Sequence, residues 1–440
     1  MNLEEYEIKF GKKATLVSIV CENFEFHNSL EQTNSSLDEL RELLRTLEIE
    51  VGSQHFQNKK KVDPATMLGE GKLREISDIA KKENSSMLVF DFELTASQMR
   101  NIKKITNLEV VDRCMIILEI FARHARTKEA KIQIEISRLN YMLPRLQTLW
   151  THFSKQKGGI GLKGEGEQQL ELDRRILRDR IAFYKKQLLE IAKTRSEQKK
   201  RRENNVVTAA LVGYTNAGKS SLMNKLCKVN VLSENKLFAT LDSTYRTLNP
   251  DSKPPMVMID TVGFIQNLPN TLVEGFRTTL ESALEADLLI VVCDLSDPNY
   301  KKHLEVTQSV LSELNIEQKD QIVVFNKKDK VKDLFLPKIA MRNLQASFLV
   351  SSLDDEDMLN LREYIVNYFL DKQEHFDLFI PYQEGEAQSK VLGNANVLNT
   401  HHHENGTFYR IRIPSFIFAK LGLGEFILSP DDPASNLLNT

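Results

Sequence analysis

Gly213-Tyr214-Thr215-Asn216-Ala217-Gly218-Lys219-Ser220 reads G-x-x-x-x-G-K-S, and the text on either side fixes its meaning. Val206-Val-Thr-Ala-Ala-Leu-Val212 precedes it, an apolar, β-branched run with the length of a buried strand. Ser221-Leu-Met-Asn-Lys-Leu226 follows, with the spacing of a helix start. Strand, glycine turn and helix N-terminus in that order make a phosphate cradle. The glycines let backbone N–H groups turn towards an anion, and the helix dipole favours negative charge there. In such a loop Lys219 reaches the β- and γ-phosphates and the Ser220 hydroxyl is a ligand for Mg²⁺. An ordinary turn is the competing reading, and the strand–loop–helix setting argues against it.

Working outward, Met256–Asp260, Asp287–Cys293, Gln321–Phe325 and Ser347–Val350 are apolar strand candidates of one doubly wound α/β sheet spanning residues 206–370. Chemistry-bearing residues sit at their carboxyl ends. Asp260-Thr261-Val262-Gly263 places a carboxylate near Mg²⁺ and a bare backbone N–H near a γ-phosphate. Asn326-Lys327-Lys328-Asp329 offers the Asp329 carboxylate to the paired N–H donors on one edge of guanine. Adenine lacks that pair, so a buried Asp329 would be left unsatisfied by ATP. Ser351-Ser352-Leu353 can support the base through main-chain N–H groups. In Phe238-Ala239-Thr240-Leu241-Asp242-Ser-Thr244, with Thr247 beyond, a threonine has to complete the Mg²⁺ shell. On chemistry alone Thr240 and Thr244 are equal candidates, and Thr247 is a weaker third. Four motifs in this order, each at a strand end, predict a GTP-binding domain.

The chain of 440 residues is long enough for several domains, and a net charge of −2 excludes a global basic field. No run of apolar residues is long enough to cross a membrane, and the N-terminus is not built like a signal peptide. Cys21, Cys114, Cys227 and Cys293 are scattered, which predicts free thiols in a reducing cytoplasm. His401-His402-His403 is expected in a solvated loop. Residues 1–112 alternate strand-like and helix-like segments and predict a small, mostly parallel α/β domain, with a helix from Ser36 to Leu44 capped by its serine. Within it, Gly69-Glu-Gly-Lys72 is a helix-entry turn that could also take an anion. Residues 371–440 predict a small α+β tail domain.

Residues 113–205 differ in character. Ile132, Ile136, Leu139, Leu143, Leu146 and Trp150 form one helical seam, interrupted at Pro144, and Leu177, Ile181, Tyr184, Leu188 and Ile191 form another. Lys157–Gly166, rich in glycine, lies between them, so the expectation is a long antiparallel helical hairpin with an exposed glycine tip. From 171 to 203 twelve cations face six acids, so the surface is locally basic. A solvated helix face and an RNA-contacting one are both open readings of it.

With these residues quoted, the chain resembles the HflX family of translational GTPases nearly end to end. Asp112-Arg113, Ile120–Thr127, Leu143–Leu146, Trp150-Thr-His152, Gly158-Gly159-Ile-Gly161 and Gln169–Glu171 carry the likeness in the hairpin, and Phe238–Asp242 and Asp260–Phe264 carry it in the switches. The resemblance implies that Thr240, rather than Thr244, joins Ser220 on Mg²⁺, with Lys219, Thr240 and Gly263 acting in GTP hydrolysis. It implies a cytoplasmic, monomeric protein that binds the large ribosomal subunit and its rRNA, and splits or rescues stalled ribosomes under stress. Gly158, Gly159, Gly161, Lys163, Gly164, Arg174 and Arg175 would be the RNA contacts. The tip departs from the family pattern at Leu162, Lys163, Glu165 and Gln168, and Phe264 stands where Ras-like switches carry a water-orienting glutamine. Asn216 sits where some related GTPases coordinate K⁺, so K⁺-assisted hydrolysis is a further expectation. A metabolic P-loop kinase and a GTP-regulated protein with a non-ribosomal partner, such as a membrane protease or signalling complex, are the rival classes. Asn326–Asp329 argues against the kinase.

Overall fold

The computed structural model of the chain describes residues 10–22, 24, 27–146, 163–202, 206–228, 238, 244–250, 252–266, 283, 285–314, 316, 318–334, 341, 344 and 346–428. By its internal contacts the chain divides into two compact units. One holds residues 1–191, 234–242 and 265–278, and the other holds 192–233, 243–264 and 279–440.

The first unit begins β1 (Lys13–Val20), α1 (Leu30–Thr46), β2 (Glu50–Asn58), α2 (Glu70–Lys82), β3 (Met87–Phe90), α3 (Ala96–Thr106), β4 (Glu109–Asp112). The four strands pair in parallel in the order β2-β1-β3-β4. The two central strands, β1 and β3, are buried nearly throughout, whereas edge strand β2 alternates inward and outward residues. Helix α1 starts six residues before the expected Ser36. Its cap is Ser29, whose hydroxyl accepts from the Gln32 N–H, and Ser36 is an interior, buried residue. The buried face Leu37, Leu40, Leu43 and Leu44 continues back through Ser36 to Thr33, a full turn before the expected start. Gly69 caps α2 without a side-chain bond, and its N–H donates to Gln57 Oε1 at 2.8 Å.

Helices α4 (Arg113–His124) and α5 (Lys128–Met142) follow, and α5 tightens into a 3₁₀ turn at Leu143–Arg145, where Pro144 cannot donate to the helix ladder. Arg113, which is 1 % exposed, donates to Asp91 Oδ1 at 2.8 Å and also pairs with Glu39. The long helix α6 (Lys163–Arg202) starts within the expected glycine tip, so Lys163 and Gly164 are helical rather than looped. Leu177 and Ile181 of the second seam are buried, and Arg180 Nη2 lies 3.9 Å from Glu135 Oε1 on α5. Gly158, Gly159, Gly161 and Trp150 lie outside the described residues.

The second unit contains β5 (Val207–Gly213), α7 (Lys219–Leu226), β6 (Thr244–Asn249), β7 (Met256–Asp260), β8 (Leu288–Asp294), α8 (Tyr300–Glu313), β9 (Gln321–Asn326), β10 (Ser347–Leu349) and α9 (Asp355–Asp371). Its sheet order is β10-β9-β8-β5-β7-β6, parallel except for β6. Strand β6 was not expected. Its exposed residues alternate with half-buried ones, and pairing with β7 at an edge stabilises what the local pattern does not announce. Four of the five parallel strands end where the anticipated chemistry sits, so the fold carries Gly213, Asp260, Asn326 and the 351–353 loop to one edge of the sheet.

The remaining elements are β11 (Gln373–Pro381), α10 (Gly385–Asn394), β12 (Asn396–His403), β13 (Gly406–Pro414) and α11 (Ser415–Leu421), with an antiparallel sheet ordered β11-β13-β12. Buried residues of this sheet, such as Ile411 and Ile413, join the same apolar cluster as Ile365 and Phe369 of α9 and Val324 of β9. His401–His403 do not form a loop. They end the edge strand β12, all exposed, and pairing with β13 orders them. All four cysteines are free thiols, and no described helix is long and apolar enough to cross a membrane.

Candidate nucleotide-binding site

Strand β5 ends at Gly213, and the chain turns through Tyr214–Gly218 into α7. Two residues of the turn are left-handed, Asn216 at φ 60° and Gly218 at φ 93°. At Gly218 a Cβ would stand 2.2 Å from Asn326 Nδ2, so neither the backbone angle nor the space admits a side chain. A loop so bent persists only when its surroundings hold it. Phe264 clasps it from one side, its N–H donating to Gly213 O at 3.0 Å and its carbonyl accepting from Thr215 N at 2.7 Å. Asn326 Nδ2 donates to Ala217 O at 3.0 Å, and Lys327 Nζ donates to Asn216 O at 2.8 Å.

Lys219 is buried, and its ammonium donates to Gly213 O at 3.0 Å and Tyr214 O at 2.8 Å. Burial pushes its pKa down to about 8, against the opposing pull of Asp260. An arriving phosphate supplies the counter-charge that favours the ammonium. Ser220 Oγ donates to Asp260 Oδ2 at 2.6 Å, and Asp260 is itself buried. One hydroxyl and one carboxylate in contact are hard oxygen donors of the kind Mg²⁺ takes while keeping several waters, so the residues present fit that ion. Thr261 Oγ1 donates to Leu211 O at 2.7 Å, which fixes the start of this segment against β5. Val262 is buried. A Cβ on Gly263 would lie 2.7 Å from Thr215 Cα and 2.9 Å from Lys219 Nζ, so only glycine passes this close to the loop.

Asn326 ties three strand ends together, because its Oδ1 also accepts from Ser352 N at 3.2 Å. Lys327 is left-handed at φ 64° and its ammonium reaches Asp294 Oδ2 at 2.6 Å. Lys328 Nζ meets Asp357 Oδ1 at 2.5 Å. Asp329 is not buried, contrary to expectation. It lies in the 3₁₀ turn Lys328–Lys330, which leaves the sheet edge, and its Oδ1 accepts from Ser351 Oγ at 2.6 Å. The Ser351 N–H goes to Asp357 Oδ2 at 2.7 Å and the Leu353 N–H to Ser351 Oγ at 3.2 Å, so the main-chain donors of this loop are engaged within the protein.

Phe238 is buried and packs edge-on against Phe121, ring centroids 4.5 Å apart. Ala239, Thr240, Leu241 and Asp242 lie outside the described residues. Thr244 and Thr247 are ladder residues of β6, opposite Asp260 and Val257. Arg174 lies 3.5 Å from Glu171 on α6, and Arg175 is exposed. The supporting residues Asp294 and Asp357 carry no motif and were not legible in the sequence. They lie in neighbouring elements that only folding brings to the loop.

A doubly wound sheet with a phosphate loop after its first strand, and Asn326–Asp329 and the 351–353 loop after its later ones, defines a P-loop GTPase. Family models agree: residues 34–122 match the GTP-binding GTPase N-terminal region, 124–202 its middle region, and 208–327 a 50S ribosome-binding GTPase. The chain is 44 % identical over 332 residues to GTPase HflX of Flavobacterium psychrophilum, covering 76 % of this chain and 79 % of that protein. It is 39 % identical over 352 residues to GTPase HflX of Alkalihalophilus pseudofirmus, covering 80 % and 82 %. A solved GTP-binding protein from the archaeon Sulfolobus solfataricus, in complex with GDP, aligns at 26 % identity over 80 % of this chain and 98 % of that one, with a TM-score of 0.42. The chain belongs to the HflX family of GTPases, and it binds and hydrolyses GTP.

Proposed function

We propose that GTP occupies the edge of the sheet at Gly213–Ser220, with guanine read by Asp329, whose carboxylate the Ser351 hydroxyl of the 351–353 loop holds. Lys219 holds the β- and γ-phosphates, Gly263 presents its N–H to the γ-phosphate, and Ser220 with Thr240 holds Mg²⁺, the ion that neutralises charge developing between those phosphates. The contact between Ser220 and Asp260 is the observation that carries this reading. Phe264 bears on the rate. Its side chain is buried, its backbone is committed to the loop, and a phenyl ring cannot orient water. Intrinsic turnover should therefore be slow, about 10⁻⁴ to 10⁻² s⁻¹. K⁺ at Asn216 is a further expectation; replacing K⁺ by Na⁺ at constant ionic strength tests it, and an unchanged rate disposes of it.

We further propose that the GTP-bound protein docks on the large ribosomal subunit and splits or rescues stalled ribosomes. Two things support this: the match of residues 208–327 to a 50S ribosome-binding GTPase, and the basic composition of residues 171–203, twelve cations against six acids. Arg174, Arg175, Lys163 and the glycines at 158, 159, 161 and 164 are the proposed RNA contacts. In this reading residues 1–112, 113–205, 206–370 and 371–440 act as α/β domain, hairpin, GTPase domain and tail. Sedimentation through a sucrose gradient with a non-hydrolysable GTP analogue tests the proposal. Co-migration with the large subunit and at least about tenfold faster hydrolysis on adding subunits are expected. Protein remaining at the top of the gradient, with turnover unchanged, would turn the search to a non-ribosomal partner.

A further inference from the structure

Each residue of the phosphate loop from Gly213 to Ala217 has an anchor, and four of the five are held by residues of the GTPase motifs. Phe264 holds 213 and 215, Lys327 holds 216 and Asn326 holds 217. Tyr214 is held differently. Its buried ring lies flat on the imidazole of His303, centroids 3.8 Å apart and planes 8° from parallel. His303 is on the first turn of α8, the helix that follows β8, and its Nδ1 lies 3.8 Å from Asp297 Oδ2. Asp297 is fixed in turn, its Oδ1 accepting from Asn299 N at 2.8 Å and its carbonyl from Tyr300 N at 3.1 Å. The imidazole is thereby presented to Tyr214 by a short, hydrogen-bonded turn.

We infer that His303 is a positioning residue for nucleotide binding: by stacking on Tyr214 it holds the second residue of the phosphate loop in the conformation that receives GTP. Tyr214 O is also an acceptor for Lys219 Nζ, so a shift of this residue displaces both the loop backbone and its cation. Pre-organisation of a left-handed, multiply anchored loop lowers the ordering cost that binding would otherwise carry. Because the loop grips ground state and transition state alike, loss of the stack should raise KM and leave kcat near its native value. The inference rests on the reading of Gly213–Ser220 as the phosphate loop.

The test uses the full-length chain, with GDP and GTP affinities measured by fluorescent-nucleotide titration and turnover measured alongside. H303A should weaken both affinities by about 2- to 10-fold, the range an aromatic pair supplies. H303F, which keeps a flat ring, should restore them to within about twofold, whereas H303L, which fills space without a planar face, should not. Unchanged affinity in H303A, or equal restoration by H303L and H303F, would overturn the stacking role. So would a fall in kcat with KM unchanged. Should H303A fail to fold, the comparison of H303L with H303F decides the matter by itself. K219A serves as the control for the underlying reading. If K219A binds nucleotide as wild type does, the phosphate-loop assignment fails; if only K219A loses binding, His303 alone is acquitted of the role.

Discussion

Ser220 Oγ stands 2.6 Å from Asp260 Oδ2, joining two residues 40 positions apart in sequence, one on the first turn of α7 and one at the end of β7. The hydroxyl and the carboxylate have to meet for one small hard cation to be held between the protein and a triphosphate. We expect S220A to weaken GTP binding at least about tenfold in Mg²⁺ and to make it insensitive to EDTA. Titrations with and without chelator check this, and an undiminished Mg²⁺ effect would move the ion elsewhere.

Lys219 carries a pH signature. Burial lowers its pKa from 10.5 to about 8, so the native chain binds this proton less tightly than the unfolded chain does. Below pH 8 both states are protonated and the full cost of the buried ammonium is present, on the order of 3 kcal/mol. Between pH 8 and 10.5 the unfolded state holds more protons, and native stability recovers as pH rises. K219M should therefore be more stable than wild type without nucleotide at pH 7, with the gap closing above pH 8. Denaturant melts across that range check the sign. The same variant should lose GTP binding.

Gly263 and Phe264 give a paired prediction. G263A forces a Cβ to within 2.7 Å of Thr215 Cα, so the N–H meant for the γ-phosphate is displaced. We expect kcat to fall about 10²- to 10³-fold, the loss typical of one transition-state donor, with GDP affinity changed far less. F264Q should not accelerate hydrolysis, because the side chain at this position is packed in the interior. It should cost about 1–3 kcal/mol in stability, and single-turnover assays with thermal melts test both halves.

Asp329, held by the Ser351 hydroxyl at 2.6 Å, accepts from guanine in the proposed pose. D329N replaces an acceptor by a donor, so GTP affinity should fall by about 10² or more while xanthosine triphosphate, which offers a carbonyl at that edge, gains. Competition between the two nucleotides measures the exchange. Retained preference for GTP would remove Asp329 from base recognition.

Sequence by itself determined the class of this protein. Gly213–Ser220, Asp260–Gly263 and Asn326–Asp329 are local patterns whose residue types follow from what a phosphate, a cation and a guanine edge need, and apolar runs of strand length placed them at strand ends. Tertiary structure decided what local chemistry leaves open. Ser29, not Ser36, starts α1, because the helix face packed inward continues back through Ser36 to Thr33. Thr244 is a ladder residue, because β7 offers an edge to pair with. Asp329 is exposed, because the chain leaves the sheet in a 3₁₀ turn. His303 lies on Tyr214, because α8 and β5 are neighbours only once the sheet has formed. Periodicity and spacing report on contacts a few residues apart; which distant side chains share a site is fixed by strand order.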